Sequence, residues 1–123
     1  MLFGLATLNT VPYDETLAAE LRKLLSRRKN IAEKKMFGGL GFLLGGNICC
    51  GVWKDFLILR LGDEVARRVL TEEHARQFNI TGRPMRGWVM IEPAGWHDDA
   101  RLRRWIGWAV DFTAALPAKS AKR

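Results

Sequence analysis

A glycine-rich run at residues 33–53, EKKMFGGLGFLLGGNICCGVW, limits what this chain can fold into more than any other part of the sequence. Glycine and asparagine accept positive φ, so Gly-Gly-Asn at 45–47 predicts a tight turn between two strand-like segments. A second pair, Lys-Asp at 54–55, predicts another turn before the apolar segment FLILRL at 56–61. Together these signals predict a three-stranded antiparallel meander within residues 31–61.

The glycines of this run do not have the pattern of a nucleotide-binding loop. A P-loop requires a strand, then glycines followed by Lys-Ser or Lys-Thr, then a helix. A dinucleotide fingerprint also requires glycines that open a helix. Here a strand-like segment follows the glycines. We therefore assign them to turns, bulges and close backbone approach, and we expect Gly45 or Gly46 to have positive φ.

Helical periodicity is found on both sides of the meander. Leucines spaced for one helix face predict a first helix over about residues 13–29, and a shorter helix is predicted at 62–70. The clearest helix runs from Asp98 to Leu116 and ends at Pro117, which cannot continue it. Its apolar face is formed by Leu102, Trp105, Ile106, Ala109, Phe112 and Leu116.

The remaining segments complete the fold class. Residues 88–91 are predicted to form a strand, and residues 76–80 are a candidate for another. The resulting order, α-β-β-β-α-β(-β)-α, predicts an α+β fold in which helices pack on one face of an antiparallel sheet. Because 123 residues suit one domain, we divide the chain into an N-terminal extension at 1–11, a domain at 12–117 and a disordered basic tail at 118–123.

The only two cysteines, Cys49 and Cys50, are adjacent. Neighbours in an extended strand point to opposite faces, so we expect no disulfide between them and interpret them as small packing residues. A zinc site requires about four ligands, which these cysteines with His74 and His97 supply poorly, so no metal is predicted. A Cys–His nucleophilic pair stays open as an alternative, because its members need only meet in space.

The sequence also predicts the cellular location of the protein. Two cysteines without a disulfide framework are typical of a reducing compartment. The first eleven residues lack the basic start and the cleavage site of a signal peptide. No segment approaches the ~20 apolar residues of a membrane span. We therefore expect a cytoplasmic protein that does not insert into a membrane.

Basic residues suggest a first class of contact. The formal net charge is +7, which favours attraction to polyanions. Lys34 and Lys35 open the glycine-rich run, and Arg83 and Arg86 lie in TGRPMRGW, beside Trp88. Arginine combined with aromatic residues is a pattern of RNA or single-stranded DNA binding. The alternative is a turn whose arginines pair with acids, and both interpretations stay open.

Trp108 suggests a second class of contact. Trp105 lies in the middle of the apolar face of the last helix and is expected in the core, whereas Trp108 lies at the edge of that face. A tryptophan at such an edge is typical of an interface anchor, for a protein partner or a second copy of the chain. Packing against the protein's own sheet is the competing explanation.

The run KKMFGGLGFLLGGNICCGV, followed some thirty residues later by FNITGRPMRGWVMIEP, resembles the TfoX N-terminal domain family. PYDETLAAELRKLL resembles that family's first helix, and Trp105 lies in what resembles its last. The resemblance covers about residues 12–117. It implies an α+β fold with an antiparallel sheet, no cofactor and no established catalytic residues. In full-length relatives this domain precedes a C-terminal helical domain, and the protein regulates competence genes for DNA uptake.

These inferences predict a small cytoplasmic domain that is not an enzyme and that contacts a protein partner or a second copy. Direct nucleic-acid binding is the alternative, an uncharacterised enzyme comes third, and no small-molecule substrate is identified. An exposed apolar patch favours the first function, and a basic patch on one face favours the second. A deep pocket near Cys49 or Cys50 favours the third.

Overall fold

The computed structural model describes residues 13–36, 38–79 and 82–119. Within these ranges, one antiparallel sheet of six strands packs with four helices, which confirms the predicted α+β fold. The helices are α1 (Glu15–Leu25), α2 (Asp63–Val69), α3 (Pro93–Trp96) and α4 (Asp99–Ala114). The strands are β1 (Ile31–Met36), β2 (Gly39–Leu44), β3 (Asn47–Trp53), β4 (Phe56–Arg60), β5 (Ala75–Gln77) and β6 (Trp88–Ile91).

The order of elements agrees with the prediction, and the structure adds two elements to it. The first is β1, which pairs with β2 over its whole length, from Ile31 opposite Leu44 to Met36 opposite Gly39. The second is the single turn of α3, with Pro93 at its start. The first helix is shorter than predicted at both ends. It begins after Asp14, whose side chain accepts a hydrogen bond from the Leu17 amide at 2.9 Å, and it ends at Leu25.

The strands lie in the order β1-β2-β3-β4-β6-β5, and every neighbouring pair is antiparallel. Alternate residues of the central strands belong to one core cluster together with apolar residues of the helices. The sheet contributes Leu40, Phe42, Val52, Leu57, Leu59, Val89 and Ile91, and the helices contribute Leu17, Leu21, Ala66, Trp105 and Ala109. The helices therefore cover one face of the sheet, as predicted.

A β-bulge in β3 changes the direction of the cysteine side chains. Phe42 pairs with Cys50, but Leu43 pairs with Ile48, so Cys49 is an extra residue on β3. Because the bulge interrupts the alternation of the strand, Cys49 and Cys50 both lie in the core cluster, and both are free thiols. The expectation that they point to opposite faces is therefore wrong.

The turn between β2 and β3 has the predicted geometry. Gly45 and Gly46 have φ of 60° and 85°, which confirms the prediction of positive φ. The chain that follows α4 lies against this turn, where Lys119 donates its amide to the Gly45 carbonyl at 2.8 Å. Residues 118 and 119 of the predicted tail are thus placed on the sheet. The rest of that tail, 120–123, and the predicted extension at 1–11 lie outside the described residues.

Replacing Gly46 with valine is expected to destabilise the fold. A β-branched residue at φ 85° is strained, and a Cβ there would lie 2.9 Å from the Lys119 carbonyl oxygen. We expect a loss of about 2 kcal/mol, since the left-handed conformation alone costs about 1–2 kcal/mol for a non-glycine residue. The measurement is denaturant unfolding followed by tryptophan fluorescence.

Gly107→Ala is the matched control for this measurement. Gly107 lies on the exposed side of α4, and a Cβ there meets no atom within 4 Å. We expect this variant to gain about 0.5–1 kcal/mol, because alanine is the better helix former. An unfolding midpoint of Gly46→Val equal to that of the unmodified chain would contradict the strain attributed to the turn.

Candidate interaction surfaces

The face of the sheet opposite to the helices is apolar and concave. Gly41, Gly51 and Ile58 lie side by side on β2, β3 and β4, in register positions that alternate with the core residues. Around them lie apolar side chains from both ends of the strands and from the segment after β5. We call this surface the open face, and it is lined by Met36, Leu40, Gly41, Ile48, Cys50, Gly51, Val52, Trp53, Ile58, Phe78 and Trp88.

Two glycines form the floor of the open face because the backbone and neighbouring side chains come close to them. A Cβ on Gly51 would lie 2.6 Å from the Leu40 carbonyl oxygen, so a side chain there requires the backbone to move. A Cβ on Gly41 would lie 3.1 Å from the end of the Met36 side chain, which is flexible and can move aside. A side chain at position 51 would therefore disturb the strands that form the depression, whereas a small side chain at position 41 could be accommodated by a movement of Met36.

The size of the depression separates it from an enzyme pocket. The groove encloses about 330 Å³ including the part open to solvent, but the volume that water-sized molecules can reach is only about 30 Å³. Small-molecule sites typically measure about 300–1,000 Å³ and bury most of the ligand. The open face therefore suits side chains of another polypeptide better than an enclosed metabolite.

Two cations lie beside aromatic residues at the rim of the open face, and a third lies on the neighbouring edge strand. The Lys54 ammonium lies 4.7 Å from the ring centre of Trp53, and the Arg60 guanidinium lies 5.4 Å from that of Trp88. Trp53 also stacks on Phe56 at 6.0 Å. Lys34 lies on β1 at a register position of this same face, opposite Gly41. The rim is thus positively charged, while its aromatic rings already have neighbours within the protein.

The structure does not bring the four predicted basic contact residues into one patch. Lys34 and Lys35 are both exposed on β1, but Lys35 lies opposite Leu40 and so on the face with the helices. Arg83 is exposed in the segment before β6. β1 and β6 are four strand spacings, or about 19 Å, apart in the sheet, so the lysines on β1 and the arginines before β6 lie toward opposite sides of it.

Arg86 is engaged within the protein. Its guanidinium bonds the Asp63 carboxylate at the start of α2 at 2.5 Å, and this hydrogen bond lowers the pKa of Asp63. This ion pair lies at the surface. Of the two interpretations of TGRPMRGW, it agrees with a turn whose arginines pair with acids. No sequence signal connects residues 63 and 86, because they meet only through the packing of α2 beside β6.

Trp105 and Trp108 divide as predicted between the core and its edge. Trp105 is 1% exposed, and its indole nitrogen donates to the Gly95 carbonyl at 3.0 Å. Trp108 is partly buried and packs edge-on against Trp105 at 5.6 Å. The Arg104 guanidinium lies within 5.2 Å of the Trp108 ring centre. Trp108 also lines a shallow groove with Leu61, Val65 and Phe112, and its role in binding a partner stays a prediction.

The two adjacent thiols differ in their surroundings, and both are closed to solvent. The hydrogen bond with Cys50 lowers the pKa of Cys49, and the charges of Arg28 and Arg60 lower it further. Cys49 and Cys50 are each 0% exposed. The hydrogen bond with Cys49 and its own burial raise the pKa of Cys50, so this thiol stays protonated. The His74 ring faces Glu92, and the His97 ring lies edge-on against Trp96. In the part of the chain that the structure describes, no group of three or more His, Cys, Asp or Glu residues can hold a metal ion.

The sequence-based prediction missed the open face, although a signal for it was present. In β2 and β4, both alternating sets of residues are apolar or glycine, as in GLGFLL and FLIL. A strand with one solvated face alternates apolar with polar residues, so strands apolar on both sides indicate that both faces are to be covered. The two glycines were assigned to close backbone approach, which is what Gly51 shows.

Comparison with known proteins identifies one family. The family model described as the TfoX N-terminal domain matches residues 23–113 of the 123 residues. No curated protein and no solved structure shows significant similarity to the chain. Within the described residues, every helix is too short or too polar to cross a membrane.

Truncating the two tryptophans is expected to separate core from surface. Trp105→Ala should cost about 3–5 kcal/mol of unfolding free energy, as aromatic truncation in a core does. Trp108→Ala should cost less than half of this, because part of its ring is already in water, and should weaken association if Trp108 is an interface anchor. Denaturant unfolding beside sedimentation velocity measures both effects, and equal losses of stability would contradict the division.

Both thiols are expected to be protected in the native state. Iodoacetamide at pH 8 should label neither cysteine on the timescale on which it labels a free thiol, because both are buried and the Cys50 thiol is protonated. In guanidinium chloride both should react. Mass spectrometry of the labelled chain counts the modified cysteines, and rapid labelling of the native protein would reopen thiol chemistry as a function.

Proposed function

The chain belongs to the TfoX N-terminal domain family, and from that membership we propose that it is a regulator-like interaction domain that binds a protein partner through its open face. This family is of a regulatory rather than a catalytic type. The observation that carries the proposal is an apolar, concave sheet face that none of the helices in the described residues covers.

The composition of the open face supports a role in binding. An antiparallel sheet with helices on one side ordinarily presents polar side chains on the other. Here the centre of that other side consists of Ile58 and two glycines, which are buried, and the accessible apolar side chains lie around them: Met36, Ile48, Trp53 and Trp88. Apolar surface of this kind, surrounded by charge, is typical of protein-interaction sites. The aromatic rim residues are of the types enriched among binding hot spots.

A protein partner fits the open face better than a nucleic acid does. Recognition of single strands requires aromatic rings on which bases can stack. The rings of Trp53 and Trp88 are already in contact with Lys54 and Arg60. The depression between them also lacks the exposed polar groups that would select bases. We further propose a cytoplasmic location, which two free thiols in the core suit.

Introducing a charge into the open face is expected to abolish partner capture. Ile48 is partly exposed at this face, so Ile48→Asp should leave the fold intact and oppose desolvation of the groove. The unmodified chain, immobilised in nuclease-treated native lysate, should retain a reproducible set of proteins measurable by quantitative mass spectrometry. We expect Ile48→Asp to lose about tenfold of that signal, as truncated hot spots do.

Arg101→Glu is the control for this experiment, because Arg101 is exposed on α4, far from the open face, and the variant also lowers the net charge. Thermal unfolding of both variants confirms that they are folded. Capture that survives Ile48→Asp, or that disappears on nuclease treatment of the unmodified chain, would overturn the proposed function.

A further inference from the structure

Among the residues that the structure describes, no strand caps the outer edge of β1. β1 lies at the end of the strand order and pairs only with β2. In the part of the chain that the structure describes, no strand pairs with its other side. Along such an edge, alternate backbone N–H and C=O groups point outward and are available for hydrogen bonds with a further strand. At six residues, the edge is about 20 Å long and can accommodate a short extended peptide.

The charge of this edge is positive because its one acid is already paired. Arg22 of α1 binds the Glu33 carboxylate with two hydrogen bonds, of 2.5 and 2.8 Å. Lys34 and Lys35 follow directly, both are exposed, and neither takes part in an ion pair found among the described residues. They point to opposite faces of the sheet, so a strand added at this edge meets a cation on each of its two sides.

From these features we propose that β1 takes an acidic, extended segment of a protein partner by strand addition. The partner's backbone completes the hydrogen bonds of the edge, as in other β-augmented complexes. A pair of adjacent acids in that segment places one carboxylate beside Lys34 on the open face and one beside Lys35 on the helix side. An apolar residue next to that pair lies against Met36, which is at the rim of the open face. The inference rests on the proposed function and names the chemistry of the partner.

The same charges disfavour the other occupants of this edge. A second copy brings the same two lysines, so a pairing of two β1 strands that sets Lys34 opposite Lys34, or Lys35 opposite Lys35, places like charges side by side. A nucleic acid satisfies the charge but supplies no backbone that can continue the ladder of a sheet. An acidic peptide matches both the positive charge and the unpaired edge.

The test begins from a library of random decapeptides displayed on phage, selected against the immobilised chain in the presence of excess single-stranded DNA. We expect the retained peptides to be enriched in neighbouring Asp and Glu flanked by β-branched residues. A selected peptide is then synthesised with a fluorophore, and its affinity is measured by anisotropy. No enrichment over the starting library, or enrichment without acids, would overturn the proposal.

Charge reversal tests the two lysines. Lys34→Glu together with Lys35→Glu should weaken the selected peptide by about tenfold, because two attractive cross-strand pairs become repulsive. The control, Arg67→Glu with Arg101→Glu, makes the same change of net charge at exposed positions of α2 and α4 and should have little effect. Equal weakening by the two variants would reduce the binding to general electrostatic attraction and overturn the proposal.

N-methylation of the peptide tests strand addition itself. Two versions carry methyl groups on alternate backbone nitrogens, one on the odd and one on the even residues. In an added strand only one of these sets faces β1, so one version should lose binding and the other should keep it. Equal affinities for the two versions would overturn the proposal.

The experiments can refute the proposal for the β1 edge and the proposal for the open face independently of each other. If Ile48→Asp leaves partner capture unchanged while the peptide still depends on Lys34 and Lys35, the proposed function is wrong and the edge site stands. If Ile48→Asp abolishes capture while the lysine variant and both methylated peptides behave as the unmodified ones, only the inference about β1 is wrong.

Discussion

The packing of α4 against the middle of the sheet is the interaction on which the rest of the structure depends. Trp105 lies at its centre, fully enclosed, and its indole nitrogen bonds the Gly95 carbonyl of α3. One side chain therefore joins α4 to the turn that follows β6 as well as to the core. Because α1 and α4 both cover the same side of β3, all the large apolar side chains of the helices are used on one face. The other face is covered in part by Phe78, from the segment after β5, which packs against Trp88.

This one-sided arrangement explains why the open face is shaped as it is. The glycine at position 51 is required by the close approach of β2, since any side chain there would collide with the Leu40 carbonyl. The cost of such a residue in a central strand is a loss of packing and of chain stiffness. In return, the missing side chains leave a depression between Met36 and Trp88. A face intended only for solvent would carry polar side chains at these positions instead of glycine and isoleucine.

Local signals in the sequence predicted the elements that depend on local physics. The helix α4, the positive φ of Gly45 and Gly46, and the core position of Trp105 each follow from one short segment, and each is confirmed. The predicted apolar face of α4 is corrected at its end, where Val110 and Thr113 are buried and Phe112 and Leu116 only partly so. β1 escaped prediction because its central residues are charged. A charged edge strand is held by backbone pairing with β2 and not by burial of side chains, so it leaves no apolar pattern. The bulge at Cys49 escaped because it is a mismatch of length between two strands, which neither strand shows alone.

For the candidate sites too, the sequence predicted what depends on residue type and missed what depends on the arrangement of distant residues in the fold. The sequence shows that Lys34, Lys35, Arg83 and Arg86 are cations near glycines and aromatic residues. Whether they form one basic patch depends on where the fold places them on the surface. The sheet order separates the lysines from the arginines, and Asp63 engages Arg86. Within the described part of the chain, the fold leaves a pair of exposed lysines on an edge strand that pairs on one side, next to an apolar face. Because Arg22 neutralises the one acid of that edge, the positive charge of β1 depends on a contact made by α1. Loss of Arg22 would therefore restore a carboxylate beside Lys34 and Lys35 and weaken the preference of the edge for an acidic strand, although it would leave both lysines in place.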